Sequence, residues 1–218
     1  MQSIASFGRV TAMDTAHLIS PYRLLEHPFY KRWEAGELSE AELARYAEQF
    51  RHFEAQLPSF LEGLSGLLEG EAALMVEANL ADEVDGEVTH LALFETYAHG
   101  VGAEDHVAPT PAMAGLTAIY DDALRRGDAA YGLGVLLGYE TQAAEVALSK
   151  GEALETSYGV SPEARAFWET HAELEELHAQ WSLSAAQGLD EVSICAGAQA
   201  SAAAWWAFLD EREALVAA

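Results

Sequence analysis

One glutamate constrains this chain more than any other residue. The run from Ala129 to Glu145 is apolar except for a single charge before its end, Glu140. Such a run is long enough for a helix buried on most of its faces. A carboxylate inside it must find a partner or stay protonated, because an isolated buried charge is too costly to keep. A metal ion is one such partner; a helix terminus or an arginine is another. Gly132, Gly134 and Gly138 lie in the same run. Each costs a helix about 1 kcal/mol against alanine, so their presence predicts close approach of another helix around Glu140.

Two further segments carry residue types that suit a metal. His171, Glu175 and His178 have the spacing H-x3-E-x2-H. On a helix Glu175 falls about 40° to one side of His171 and His178 about 20° to the other. All three therefore share one stripe, whereas Glu173 and Glu176 point elsewhere and read as solvated. The stripe also suits an exposed charged face. Upstream, Glu83 and His90 are seven apart, two turns along one face if the helix is continuous. Glu87 is a rival, since Glu87-Val88-Thr89-His90 is an E-x-x-H and so is Glu175-Glu176-Leu177-His178. Paired E-x-x-H motifs mark ferritin-like di-iron bundles, which need one more glutamate from each of two other helices. Glu140 and Glu54 could supply them. Spacing alone leaves both architectures open.

The other histidines, His17, His27, His52, His99 and His106, have no helical partner at ligand spacing and read as structural or surface residues. The one cysteine, Cys195, has no neighbouring base in sequence and reads as a buried, inert thiol. It permits no intrachain disulfide, which fits a reducing compartment. No phosphate-binding glycine motif and no nucleophile elbow is present.

The 218 residues suit a single domain, 1–218, with 1–12 as a flexible N-terminal segment. Alanine, leucine and glutamate dominate and β-branched residues are few, so an all-α fold is expected. The formal net charge of -25 argues against nucleic acid or an anionic membrane as partner. Met1 to Met13 lacks the apolar run of a signal peptide, and no stretch reads as a charge-free membrane span. A soluble, cytoplasmic protein is expected. Only Lys31 and Lys150 are lysines, against nine arginines.

Seven helical segments are predicted. They cover 13–35, broken near Pro28; 39–67, with a capping box at Ser39 to Glu42 and Pro58 as a likely kink site; 71–98; 112–125; 128–149, stopping at Gly151; 162–187, opened by Ser161-Pro162; and a last one from Asp190. No sustained two-residue alternation predicts a strand.

The residues also carry a resemblance. His27-Pro28-Phe29-Tyr30, Trp33, Gly36-Glu37-Leu38 and Tyr46-Ala47 resemble the opening of the haem-oxygenase-like superfamily, which includes the PqqC and TenA proteins. Glu83, His90, Glu140, His171, Glu175 and His178 are similar to the ligand set of its dimetal oxidases. The likeness is strongest to the CADD-like, folate-related 4-aminobenzoate synthases and runs from about residue 17 to 210. It implies a seven-helix bundle, Glu83 instead of Glu87 as ligand, and two divalent metals, Fe/Fe or Fe/Mn, that use O2 and an external reductant. It further implies an enzyme that consumes itself. Tyr30 falls where the family's cleaved tyrosine stands, and Lys150 where the lysine that supplies the amino group stands. Tyr46 and Tyr139 match pocket tyrosines that relay electrons or radicals. Two departures stand out: Glu175 where the family has Asp, and Gln49-Phe50-Arg51 where relatives are richer in tyrosine.

The expected partners are therefore O2, the chain's own side chains as substrate, and a second copy in a homodimer. Two other readings compete. One is the same centre acting on an external amino acid or fatty acid. The other is a metal-free interaction module with an acidic surface. A TenA-like hydrolase fits less well, because Cys195 lies in the wrong region for its nucleophile.

Overall fold

Eight α-helices lie within the residues that the computed structural model describes, 18–215, and no strand is found among them. The bundle is the all-α, haem-oxygenase-like fold that the sequence predicts. A 3-10 turn at Leu24–Glu26 leads into α1 (Pro28–Glu34). Then come α2 (Glu40–Ser65), α3 (Gly70–Val84), α4 (His90–Gly100), α5 (Pro111–Arg126), α6 (Ala129–Thr156), α7 (Pro162–Ala185) and α8 (Glu191–Ala214). The expected flexible segment 1–12 and His17 lie outside the described residues.

Local chemistry sets most of these boundaries. The Ser39 hydroxyl accepts from the Glu42 amide while the Glu42 side chain accepts from the Ser39 amide, closing the capping box that starts α2. Ser161 and Asp190 cap α7 and α8 as their sequences suggest. Thr110 caps α5, which ends at Gly127 with a left-handed φ of 64°.

Three predicted segments differ from the structure, and eight α-helices stand among the described residues where seven segments were expected. In the first, 13–35, residues 20–27 hold only a turn and the 3-10 turn, and the α-helix begins at Pro28. The segment 71–98 is two helices, broken at Asp85–Thr89. Gly86 there has φ 139°, and the Thr89 hydroxyl accepts from the Ala92 amide to start α4. Glu83 and His90 are therefore not two turns along one helix face. Glu83 ends α3, His90 begins α4, and Glu87 lies exposed in the turn between them. The segment 128–149 does not stop at Gly151. That helix, α6, continues to Thr156, because a side chain at Gly151 would meet only Trp168 Cβ at an ordinary 3.6 Å. Lys150 thus sits inside a helix and not at its end.

The α6 helix is the axis of the molecule. From Ala130 to Glu140 every residue is buried. It packs along α7 and α8, while α2 crosses α3, α4 and α5, and α3 and α4 close over α7. A Cβ on Gly134 would lie 2.1 Å from the Ile194 carbonyl oxygen, and one on Gly138 2.6 Å from that of Ala198. The reciprocal Gly197 would meet the Tyr131 carbonyl at 2.2 Å. The glycines therefore let α6 and α8 touch backbone to backbone beside Glu140.

The α8 helix is long and apolar enough by length and composition to cross a membrane, which the sequence reading did not register. In the bundle its Ile194, Gly197, Ala198, Ser201, Ala202, Trp205, Phe208 and Leu209 are core residues. Cys195 on the same helix is half-buried against the core, not fully buried.

Candidate metal centre

Four helices bring the six candidate ligands to one place. Glu83 (α3), His90 (α4), Glu140 (α6) and the stripe His171, Glu175 and His178 (α7) are all buried, while Glu173 and Glu176 are exposed. Five of them, all but His90, line one enclosed cavity of about 10 Å³ together with Glu54, Tyr120, Tyr139 and apolar side chains.

The ligand atoms fall into two groups that share Glu83. In the first group, atoms of Glu83, His90 and His171 lie within 4.8 Å of one another. His90 Nδ1 is 3.0 Å from Glu83 Oε2, yet it has no hydrogen-bond partner. Two donors each about 2.1 Å from one ion, at right angles, are spaced about 3 Å apart. The second gathers around His178, on which the Glu175 and Glu140 carboxylates both bear. Glu83 Oε1 lies 3.9 Å from His178 Nδ1, and Glu175 Oε2 lies 3.7 Å from it. Glu83 thus turns one oxygen toward His90 and the other toward His178.

Neighbours outside the six orient the imidazoles. His171 Nδ1–H donates to the Phe167 carbonyl at 2.7 Å, which leaves Nε2 as the free lone pair. His178 Nε2–H donates to Asp82 Oδ2 at 2.8 Å, which leaves Nδ1 toward Glu83 and Glu175. A hydrogen bond of this kind to the distal nitrogen is what fixes the tautomer of a metal-ligating histidine. Asn79 Nδ2 donates to Glu140 Oε1 at 2.7 Å, while Glu140 Oε2 is buried without a partner. Sequence reasoning missed Asp82 and Asn79. The signal was available, since Asn79 lies four residues before Glu83 on the same helical stripe.

Electrostatics follow from this crowding. Burial and the Glu175 carboxylate push Glu140 up to about 7, against the pull of His178 and Asn79. Burial alone would raise Glu83, but the His90, His171 and His178 imidazoles hold it below the usual carboxylate value. Burial opposes the charged form of His178 too, yet Glu175, Glu140 and Asp82 lift it to about 10. The centre therefore asks for positive charge. Two unsatisfied buried donor atoms, His90 Nδ1 and Glu140 Oε2, and a nitrogen–oxygen donor set that suits iron or manganese make the residues fit two divalent ions.

The four other predicted site residues are divided. Tyr139 lines the cavity and stacks on Trp205 at 4.4 Å. Tyr30, Tyr46 and Lys150 form a second buried cluster that does not line it. The Tyr30 and Tyr46 hydroxyls are 2.7 Å apart, and Lys150 Nζ donates to Tyr46 Oη at 2.6 Å. Phe50 joins the two places, with ring centroids 5.5 Å from Tyr46 and 6.5 Å from Tyr139. Lys150 is 1 % exposed, and its amine faces the rings of Trp168, Tyr46, Tyr30, Phe50 and Trp33 at 4.0 to 5.5 Å. Burial holds it well below the ordinary lysine value, so the neutral amine is favoured. Burial likewise raises the phenols of Tyr30 and Tyr46, which stay protonated. The retained Lys31, by contrast, is an exposed partner of Glu26.

His27 is structural, as predicted, and His52 bonds the Val107 carbonyl. Glu95, His99 and Asp105 form a second group at ligand spacing, but His99 and Asp105 are exposed and Arg51 pairs with both acids.

Comparison with known proteins agrees with this geometry. Residues 44–209 match the family model described as iron-containing redox enzyme, haem-oxygenase type. A protein of Nitrosomonas europaea is 28% identical over 213 residues, 88% of this chain and 87% of its own. One of Chlamydia muridarum is 31% identical over 169 residues, 75% of this chain and 72% of its own. Both are named 4-aminobenzoate synthase. Among solved structures, a CADD-like protein of Nostoc punctiforme has a TM-score of 0.73 at 18% identity, covering 92% of this chain and 97% of its own. A TenA homologue of Pseudomonas syringae has a TM-score of 0.74 at 12% identity, covering 91% and 90%. A bundle that closes four carboxylates and two imidazoles around one small cavity, with a third imidazole beside it, and whose sequence matches that model over most of its length, belongs to the iron-containing redox enzymes of the haem-oxygenase-like fold.

Proposed function

We propose that this oxidoreductase is a dimetal oxygenase that forms 4-aminobenzoate from its own Tyr30 side chain, with Lys150 as the source of the amino group. Glu83, His90 and His171 would hold one ion and Glu140, Glu175 and His178 the other, with Glu83 between them. Two bound ions, Fe/Fe or Fe/Mn, would supply activation of O2 with electrons from an external reductant. The names of the Nitrosomonas and Chlamydia relatives support the product.

The observation that carries the reading is the chain Lys150 Nζ, Tyr46 Oη, Tyr30 Oη, with spacings of 2.6 and 2.7 Å. Tyr46 accepts from the amine and can still donate to Tyr30, so one hydroxyl positions both reacting side chains. The surrounding rings keep water out and keep Lys150 neutral, the state in which an amine is a nucleophile. Phe50 and Tyr139 offer an aromatic route by which oxidising equivalents can reach Tyr30 from the cavity.

Cavity size favours a self-substrate over an external one. The enclosed space is about 10 Å³, whereas pockets for small organic ligands run to roughly 300–1,000 Å³. The test supplies Fe(II), Mn(II), reductant and O2 and follows both product and chain. Tyr30→Phe is expected to give no 4-aminobenzoate, and peptide mapping of the spent wild-type chain should place the lesion at Tyr30. Product formation with an intact Tyr30 peptide would overturn the assignment. A lesion at Tyr139 would transfer the role to the tyrosine on the cavity wall.

A further inference from the structure

Glu54 is a buried carboxylate that none of the six-ligand description uses. It sits on α2 and is 5 % exposed. It lines the same enclosed space as Glu83, Glu140, His171, Glu175 and His178. The charges that bear on it are Glu83 and Glu175, both carboxylates, and Lys150. Lys150 spends its short hydrogen bond on Tyr46 and gives Glu54 none. Among the described residues Glu54 takes part in no hydrogen bond or ion pair through its carboxylate. A carboxylate placed among other carboxylates in a dry cavity is destabilising unless a cation joins them.

Position along the helix adds to this. Glu54 is flanked on α2 by Phe53 and Leu57, which wall the same cavity. Pro58, four residues on, lies inside the helix and has no N–H to give the Glu54 carbonyl. The helix thus keeps an acid at a buried position where phenylalanine and leucine surround it, and continues past an internal proline just beyond.

We infer that Glu54 is a seventh ligand of the metal centre, a fourth carboxylate contributed from α2. The inference rests on the dimetal reading above. With Glu83, Glu140 and Glu175 it gives four negative charges against two divalent ions, so the loaded cavity is neutral. Neutrality is the condition under which so many acids can be buried together. It also ties α2, which carries Tyr46 and Phe50, to the centre directly, so that the helix bearing the aromatic route is positioned by the ions themselves.

The test is anaerobic titration of the full chain with Fe(II) and Mn(II), competed by a chelator, for the wild type, Glu54→Gln and Glu54→Ala. The wild type is expected to bind two ions. Both variants should lose at least about tenfold in affinity for one of them, the scale on which even outer residues of a metal site act. Glu54→Gln should also gain less in melting temperature on metal loading than the wild type. Two ions bound by Glu54→Gln with wild-type affinity would overturn the inference and leave the dimetal reading intact. Failure of the wild type to bind two ions would overturn that reading, and this inference with it. A crystal structure of the Mn(II)-loaded wild type gives an answer independent of the variants. An oxygen of Glu54 within about 2.2 Å of an ion is expected, and a Glu54 carboxylate that touches neither ion would overturn the assignment.

Discussion

At the scale of single residues, the chain keeps one group in a state that folding alone would not select. Lys150 is a buried amine with no carboxylate in hydrogen-bond contact; its neighbours are rings and the Tyr46 hydroxyl, with the charge of Glu54 farther off. Replacing it by methionine fills the same space without the cost of burying an amine. Lys150→Met is therefore expected to raise stability by roughly 1–2 kcal/mol while abolishing 4-aminobenzoate. A urea melt beside a product assay checks both. His27 is the opposite case, a residue whose state serves the fold. Its Nδ1 accepts from the Phe29 amide at the start of α1, and its Nε2–H donates to Asp210 at 3.1 Å. Both bonds together require the neutral ring. Burial lowers its pKa in the folded state despite Asp210. A histidine lowered on folding binds fewer protons folded than unfolded, so stability is full above the unfolded value near 6.5 and falls as pH drops below it. His27→Asn keeps a capping acceptor and removes the proton site. Between pH 7.5 and 5.5 the variant is expected to lose less stability than the wild type. Equal losses would contradict the cap.

At the scale of elements, the sequence shows why some boundaries were legible and others were not. Ser39, Ser161 and Asp190 announce their helices because a cap is a local bond between residues three apart. The break at Asp85–Thr89 was marked by Asp85-Gly86 and by Thr89 as a cap, but the regular spacing of Glu83 and His90 suggested one helix across it. The spacing of seven was right about proximity and wrong about the reason: a turn, not a helix face, brings Glu83 Oε2 to His90. Gly151 misled in the other direction, because a glycine that needs neither a positive φ nor a close approach carries no stop signal. Gly134 and Gly138 were read correctly as contact points, yet their partner on α8 could not be read from their own sequence. Gly134→Ala tests that contact. Alanine adds about 1 kcal/mol of helix propensity, but its Cβ would sit 2.1 Å from the Ile194 carbonyl. The expected net result is a loss of roughly 1–3 kcal/mol, measured by denaturant unfolding, where an isolated helix would gain.

At the scale of the whole molecule, a single bundle carries two buried polar sites that are chemically opposite. One is an acidic cavity that asks for metal ions; the other is an apolar cage that holds a neutral amine and two phenols. The ligand types and the central helix were legible because both are patterns within one segment. The division into two sites was not, because it depends on how α2 lies against α6 and α7. Tyr30 and Tyr46 are adjacent to the centre through Phe50, not exposed to it. The small cavity and the caged amine and phenols are what the proposal of a self-consumed chain rests on. The direct measurement uses protein grown with ring-¹³C tyrosine, loaded with Fe(II) and Mn(II), and given reductant and O2 in unlabelled buffer. The account predicts ¹³C-labelled 4-aminobenzoate, no more than one per chain, with a matching loss of mass at Tyr30. Unlabelled product, several turnovers per chain, or an unchanged intact mass would contradict it.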